Sequence, residues 1–283
     1  MLISQGLSLV RVPRGIPSSN GRWIKNATIR QITGYDEQDM SERSPDIPIH
    51  QRVLLLLERI VTFNDCKKTK TKQVLLQLSI GDRTTILFNA RKMILGDIIQ
   101  CTAKCIICNN KMSLDLSISD LLRAHNSYNH KEIYEFETGG YKIKIRPLNA
   151  FDQDKLIKRN TSILSAEAEL VKSCIVNSIP VLPTIIPKSI VEILGSKMED
   201  IDPLSDLTLN ISCPECNKKF QILFPAEEFI LRELLANSKN LEREIHWLAF
   251  HYGWDEDTIL SLPSKKRRKY VELINATLTG ENI

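Results

Sequence analysis

Seven cysteines carry the most legible chemistry in the sequence: Cys66, Cys101, Cys105, Cys108, Cys174, Cys213 and Cys216. An odd number excludes a complete intrachain disulfide set. Four of them form two knuckles, Cys105-Ile106-Ile107-Cys108 and Cys213-Pro214-Glu215-Cys216. Two thiolates separated by two residues grip one ion from a tight turn, and two such turns complete a tetrahedron. Asn109 and Asn217 follow the knuckles, and asparagine tolerates the left-handed conformation that such turns use. A catalytic zinc keeps an open position and recruits His or carboxylate, whereas four cysteines close the site, so the expected cofactor is a structural Zn2+ held by Cys105, Cys108, Cys213 and Cys216. Iron accepts the same four thiolates, and spacing does not separate the two metals.

The flanks repeat with the knuckles. Cys108-Asn109-Asn110-Lys111-Met112-Ser113-Leu114 aligns with Cys216-Asn217-Lys218-Lys219-Phe220-Gln221-Ile222 at a constant offset of 108, as between Cys108 and Cys216. Each copy then enters an apolar-alternating stretch and an acidic helix start, Ser119-Asp120-Leu121-Leu122 and Glu227-Glu228-Phe229-Ile230. The pair reads as one zinc ribbon split in sequence, with residues 109–212 inserted between its hairpins. Cys101 is a spare that could replace Cys105, but the offset argues against it. Cys174 lies on an apolar stripe with Leu164, Ala168, Val171 and Ile175 and reads as a small core residue. Cys66 falls in a polar run that reads as an exposed loop.

The elements that must position the knuckles are mostly helical. Glycine is scarce, 11 in 283 residues, or roughly 4% against a usual ~7%. The N-terminal stretch reads as strands, with Asn20-Gly21 as a turn and Thr33 capping a helix start at Gly34-Tyr35-Asp36. Residues 49–64 read as a helix, followed by a lysine-rich loop from Lys67 to Lys72. Leu78-Ser79-Ile80-Gly81-Asp82-Arg83 turns into a second helix with Asp82 as its cap and Gly96 as its end. Inside the insertion, a hairpin spans Tyr134 to Ile145 around Gly139-Gly140, and one helix runs from about Asp152 to Val176. Pro180, Pro183 and Pro187 punctuate the return to the second knuckle. At the C-terminus, Leu241, Ile245, Leu248, Ala249 and Tyr252 make one stripe ending at Gly253. Asp255 caps a short turn, and Pro263-Ser264 opens a last helix.

The fold class is therefore α+β, mainly helical, with a split zinc ribbon and a small N-terminal β arm. The expected organisation is a β-rich arm at 1–48, a helical segment with the first knuckle at 49–130, an inserted hairpin and helix at 131–204, the second knuckle and a helix at 205–236, and a C-terminal helical hairpin at 237–283.

Other chemistry is missing from the sequence. It holds no H-E-x-x-H, G-x-S-x-G, phosphate-cradling G-x-x-x-x-G-K or calcium loop, so no enzyme activity is expected. His246 and His251 are five apart and fall on different helix faces. Lys265-Lys266-Arg267-Arg268-Lys269 is the one dense basic run, and five consecutive positions point around the whole helix. The bland reading is a solvated helix that keeps Tyr270 and Val271 buried. With 38 basic against 34 acidic residues, net charge +4, nucleic acid is not the expected partner. Hydrophobic residues at 42% and charged residues at 25% suit a soluble globular protein. The run Val53-Leu54-Leu55-Leu56-Leu57 is far shorter than the ~20 residues of a membrane span, and Met1 to Arg14 shows no signal peptide, so a cytoplasmic location is expected.

The order of features resembles the baseplate hub assembly, chaperone-like proteins of T-even-type contractile phages and related phage-tail-like injection systems. The stretches that carry the resemblance are Val12-Pro13-Arg14-Gly15, Ile29 to Glu37, Leu78 to Arg83, the two knuckles, Glu244-Ile245-His246-Trp247-Leu248-Ala249-Phe250-His251-Tyr252-Gly253-Trp254, Ile259 to Pro263 and Arg267-Arg268-Lys269-Tyr270. The first knuckle departs from the usual pattern in lacking Pro and Gly. The resemblance implies a non-enzymatic protein that binds hub, spike or wedge components of a contractile tail, in the cytoplasm of the producing or host cell or retained in the baseplate. The C-terminal aromatics Trp247, Phe250, Trp254 and Tyr270 are the expected contact surface. The alternative is a zinc-ribbon regulator that binds nucleic acid through the basic C-terminal helices.

Overall fold

The computed structural model describes residues 6–17, 23–43, 46–63, 71–126, 131–158 and 163–280. Among the described residues, helices dominate a mixed α/β fold with four small sheets. Strands β1 (Leu7–Pro17) and β2 (Trp23–Arg30) pair antiparallel, and β3 (Val61–Phe63) adds to β2 after helices α1 (Gly34–Glu42) and α2 (Ile49–Ile60). The helix expected over 49–64 thus ends at Ile60, because the alternation Val61-Thr62-Phe63, buried–exposed–buried, suits a strand. A short α3 (Thr71–Gln77) follows, beginning inside the stretch read as a lysine-rich loop. Cys66, the Asn20-Gly21 turn and Leu164 lie outside the residues or side chains described.

Helix α4 (Ile80–Leu95) leads to the hairpin β4 (Ile98–Lys104)–β5 (Lys111–Ser117) and to α5 (Ile118–Asn126). Its cap is Ser79, whose hydroxyl accepts from the Asp82 amide at 3.1 Å, and not Asp82. Asp82 is diverted elsewhere: its carboxylate accepts the backbone N–H groups of Arg14 at 3.2 Å and Gly15 at 2.7 Å. Burial, reinforced by the neighbouring Asp202 charge, pushes the Asp82 carboxyl up to about 7. Two glycines make this junction possible. Gly15 sits at φ +76°, and a Cβ there would meet the Ile24 carbonyl at 2.4 Å. A Cβ on Gly81 would lie 1.9 Å from Asp202, whose carboxylate accepts the Gly81 N–H at 3.0 Å.

The insertion builds its own sheet, β6 (Tyr134–Thr138)–β7 (Tyr141–Ile145)–β8 (Ile175–Ile179). The helix expected from Asp152 to Val176 is two helices, α6 (Ala150–Lys158) and α7 (Ile163–Cys174), and the chain turns into β8 at Ile175. A further helix, α8 (Lys188–Ile201), follows the prolines and packs through Ile190, Val191 and Leu194 on Ile143 and Ile145. Pro187 is its N-cap, so the last of the prolines read as punctuation starts a helix. Then come the hairpin β9 (Thr208–Ser212)–β10 (Lys219–Leu223) and α9 (Ala226–Ser238), which packs on α4, α2 and α1. Helices α10 (Leu241–Tyr252), α11 (Glu256–Ser261) and α12 (Ser264–Thr279) close the chain as the sequence reads, with Gly253 left-handed at the end of α10 and Asp255 accepting from the Thr258 amide at 2.6 Å.

Arg267, read as one of a solvated basic run, is completely buried and pairs with Glu37 of α1 and Glu244 of α10. The same end of α1 holds Asp36, whose side chain is fully buried and bonded to Arg30 at 2.6 and 2.9 Å, to Arg59 at 2.9 Å and to the Thr33 amide at 2.9 Å. Burial alone would raise the Asp36 carboxyl; Arg30, the Thr33 amide and Arg59 outweigh it and hold the group at about 2. A depressed folded value means stability present above the ordinary ~3.9 and lost as pH falls through about 2, about 2 kcal/mol in all. Asp36→Asn is therefore expected to lower urea stability at about pH 7 by about 2 kcal/mol, with the gap to the parent narrowing sharply by about pH 2. An equal gap at both pH values would assign the loss to packing rather than to these ion pairs.

Candidate metal centre

Each knuckle sits at the tip of a hairpin, and the local sequence dictates its shape. Cys105 N–H donates to the Asn110 carbonyl at 2.9 Å and Asn109 N–H to the Cys105 carbonyl at 2.9 Å. The second knuckle repeats this with Cys213 to Lys218 at 3.0 Å and Asn217 to Cys213 at 2.9 Å. Asn109 and Asn217 have φ of 58° and 54°, the left-handed turn expected of them. The amides of Ile107 and Cys108 point at Cys105 Sγ at 3.4 and 3.5 Å.

The structure brings together the four thiols that the spacing selects. Cys105, Cys108, Cys213 and Cys216 place their sulfurs within 4.8 Å of one another. Cys105 lies 3.7 Å from Cys216, and Cys108 lies 3.6 Å from Cys213. A tetrahedral ion with metal–sulfur bonds of ~2.3 Å needs sulfur–sulfur edges of about 3.8 Å, so the donor set fits one ion at its centre. Met112 and Phe220, which follow the knuckles at the same offset of 108, bury beside Cys105 and Cys213, while Cys216 is half-buried and Cys108 is exposed. Amide N–H bonds from Cys108 and Ile107 favour the Cys105 thiolate and pull it down to about 6. For Cys108 an Asn110 amide also favours the thiolate, but burial and the neighbouring thiols prevail and push it up to about 12. A thiol cluster of this kind takes up a cation in exchange for its protons.

Cys101 points elsewhere from β4, half-buried against the main core, and burial raises its thiol. Cys174 is fully buried beside Val171, and burial holds its thiol up at about 12, out of reach of thiolate chemistry.

The four aromatic candidates fall into two sets rather than one. Trp247 stacks on His251 at 4.9 Å, and Phe250 meets the same ring edge-on at 5.2 Å. Trp254 meets Tyr270 at 5.1 Å, and Tyr252, which the sequence reading assigned to the core stripe, joins that pair at 4.9 and 5.9 Å. Phe250 is 75% exposed, which makes it the outermost of these rings in chemical reach. Ile106 and Ile107, at the tip of the first knuckle, are 72% and 57% exposed. Nothing in their spacing marked them, but two apolar residues inside a Cys-x-x-Cys turn have no core to enter.

Residues 23–231 match the family model described as T4 bacteriophage base plate protein. The chain belongs to that baseplate family. The match takes in both knuckles and the whole insertion of this baseplate protein, and it stops inside α9, before the aromatic helices. No curated protein and no solved structure is significantly similar to it. Among the described residues, no helix is long and apolar enough to cross a membrane.

Purified from metal-replete medium, the baseplate protein is expected to carry a single metal ion per chain by elemental analysis. Cys105→Ser or Cys213→Ser should abolish it and lower the melting temperature by more than ~10 °C, whereas Cys101→Ser should leave the metal content unchanged. Loss of metal in Cys101→Ser would reassign the ligand set.

Proposed function

We propose that this baseplate-family chain is a non-enzymatic assembly factor or minor component of the hub or adjoining wedge of a contractile tail, acting by protein–protein binding on a zinc-stabilised scaffold. The observation that carries the reading is the baseplate family match over residues 23–231. The closed four-cysteine set suits zinc in a structural role, since a full thiolate shell leaves no position for substrate. The ion would clamp two hairpins that are distant in sequence and so hold α5 and α9, which follow them, in a defined relation. Family membership supports other baseplate proteins as its working partners and a location in or around the virion. The exposed Phe250 and the Trp254–Tyr270 pair offer the aromatic anchors that protein interfaces use.

The regulator reading loses support from the C-terminal helix. Arg267 is buried against Glu37 and Glu244, and the partly exposed Arg268 lies 3.4 and 3.6 Å from the same two carboxylates, so both guanidiniums already face acidic partners rather than phosphate.

Gentle isolation of the tagged protein from cells expressing its native gene cluster is expected to recover hub, spike or wedge proteins, identified by mass spectrometry. Phe250→Ala with Trp254→Ala should reduce that recovery at least about tenfold without loss of the metal. Recovery of nucleic acid with no structural partner, released by raised salt and weakened by changes at Lys265 and Lys266, would overturn the reading.

A further inference from the structure

The two knuckle hairpins match pair for pair, yet the helices that follow them start differently. Thr208 with Leu223 through Ser212 with Lys219 in β9–β10 repeat Gln100 with Asp115 through Lys104 with Lys111 in β4–β5, each residue displaced by 108. The same offset carries the start of α5, Ile118, onto the start of α9, Ala226. At α5 two side chains close the first turn. Asp97 accepts the Ser119 amide at 3.1 Å and the Ser119 hydroxyl at 2.7 Å. The Ser117 hydroxyl accepts the Asp120 amide at 3.2 Å and donates to Asp97 at 3.0 Å. At α9 both of these residues are exchanged. Ser205 stands where Asp97 stands, and Pro225 where Ser117 stands. Glu227 and Glu228 are the counterparts of Ser119 and Asp120, and no side chain caps this helix. Its first-turn amides therefore lack the acceptors that α5 has.

The start of α9 opens onto a cavity of about 340 Å³. Ser205, Pro225, Glu227 and Glu228 line it, and Thr84 of α4 lines it from the other side of the sequence. Thr84 is 1% exposed, and its Oγ1 has no hydrogen-bond partner. Buried hydroxyls almost always find one, so an unpaired one in a cavity wall points to a ligand. Arg83, bonded to the lining residues Glu227 and Gln153, also keeps Nη1 unpartnered. The acidic side chains of α9 are already engaged, Glu227 by Arg83 and Glu228 by Arg232. What remains unpaired along this wall is able to donate: two amides, a hydroxyl and a guanidinium N–H.

We propose that this cavity binds an acidic side chain of a partner protein, whose carboxylate takes at α9 the place that Asp97 takes at α5. It accepts the Glu227 and Glu228 amides and the Thr84 hydroxyl proton, and the positive end of the helix favours its charge. The internal precedent is a carboxylate, and the exposed Asp206 on the cavity wall disfavours a dianionic phosphate. Leu223, also in the lining and 58% exposed, offers apolar surface to the segment that carries the acidic residue. That contact favours a protein segment over a free carboxylate. The partner's being a baseplate component rests on the proposed function; the site itself rests on the two helix starts and Thr84.

The test places a photo-reactive phenylalanine analogue at position 223 of the full chain in cells assembling particles. The expected product is a cross-link to a different protein beside an aspartate or glutamate, lost when that residue is changed to its amide. Thr84→Val keeps the shape and removes the hydroxyl. It should leave the melting temperature unchanged, since the hydroxyl has no partner to lose, and cut the cross-link yield at least about tenfold. Ser205→Asp supplies the capping carboxylate of α5. It should raise the melting temperature by about 2 °C and cut the yield as strongly, by competing for the same amides. No cross-link at 223, one to another molecule of this chain, or one indifferent to both substitutions would overturn the site. So would a Thr84→Val protein that melts lower while cross-linking as before. A cross-link to an acidic segment of a protein outside the baseplate would keep the site and overturn the baseplate reading instead.

Discussion

Two guanidiniums with no solvent exposure, Arg83 and Arg267, set the terms on which the rest of the structure is arranged. A buried charge left alone costs several kcal/mol, so each must find its acceptors inside the fold. Arg83 finds Glu227 at 2.5 and 2.8 Å and Gln153 at 2.9 Å; Arg267 finds Glu37 and Glu244. Each set comes from two segments distant in sequence, which ties α4 to α6 and α9, and α12 to α1 and α10. Removing one partner of either set would leave a buried charge uncompensated, which is the costly outcome these joints avoid.

The thiol cluster solves a different problem. Between the two hairpins the described residues build a three-stranded sheet and four helices, α5 to α8, before the chain returns at the second. A bound ion would fix that return at a small local core of Met112, Phe220 and the cysteines, edged by Ala103, Leu114, Ile211 and Ile222. The glycine contacts show close backbone approach at a second place. Gly34 has no room for a Cβ because Leu260 Cα would lie 2.8 Å away, so α1 lies directly on α11. Alongside this close backbone approach, the buried ion pairs and the thiol cluster, the exposed apolar groups Phe250, Val181, Ile185 and the knuckle isoleucines face outward. That distribution suits a protein that works through its surface among baseplate neighbours.

Much of this was written locally and was readable as such. Knuckle spacing, the left-handed asparagines, the Gly139-Gly140 hairpin, the Asp255 cap and the α10 stripe depend on residues within a few positions of one another, where side-chain type and backbone conformation are directly coupled. What escaped was decided at a distance. Asp82 reads as a helix cap because aspartate caps helices, yet the amides of Arg14 and Gly15 claim its carboxylate. Arg267 reads as solvated because five basic residues in a row cannot all be buried; one of them is, since Glu37 and Glu244 converge on it. Helix α8 was hidden behind prolines that read as breaks. The sequence alone determined the four thiols that cluster as a candidate metal site, the helical bias and the order of the elements, because those follow from local spacing and composition. Only the tertiary structure decided which charges are buried and which helix starts are covered, because a buried ion pair or a seated turn is chosen by partners that share no neighbourhood in the chain.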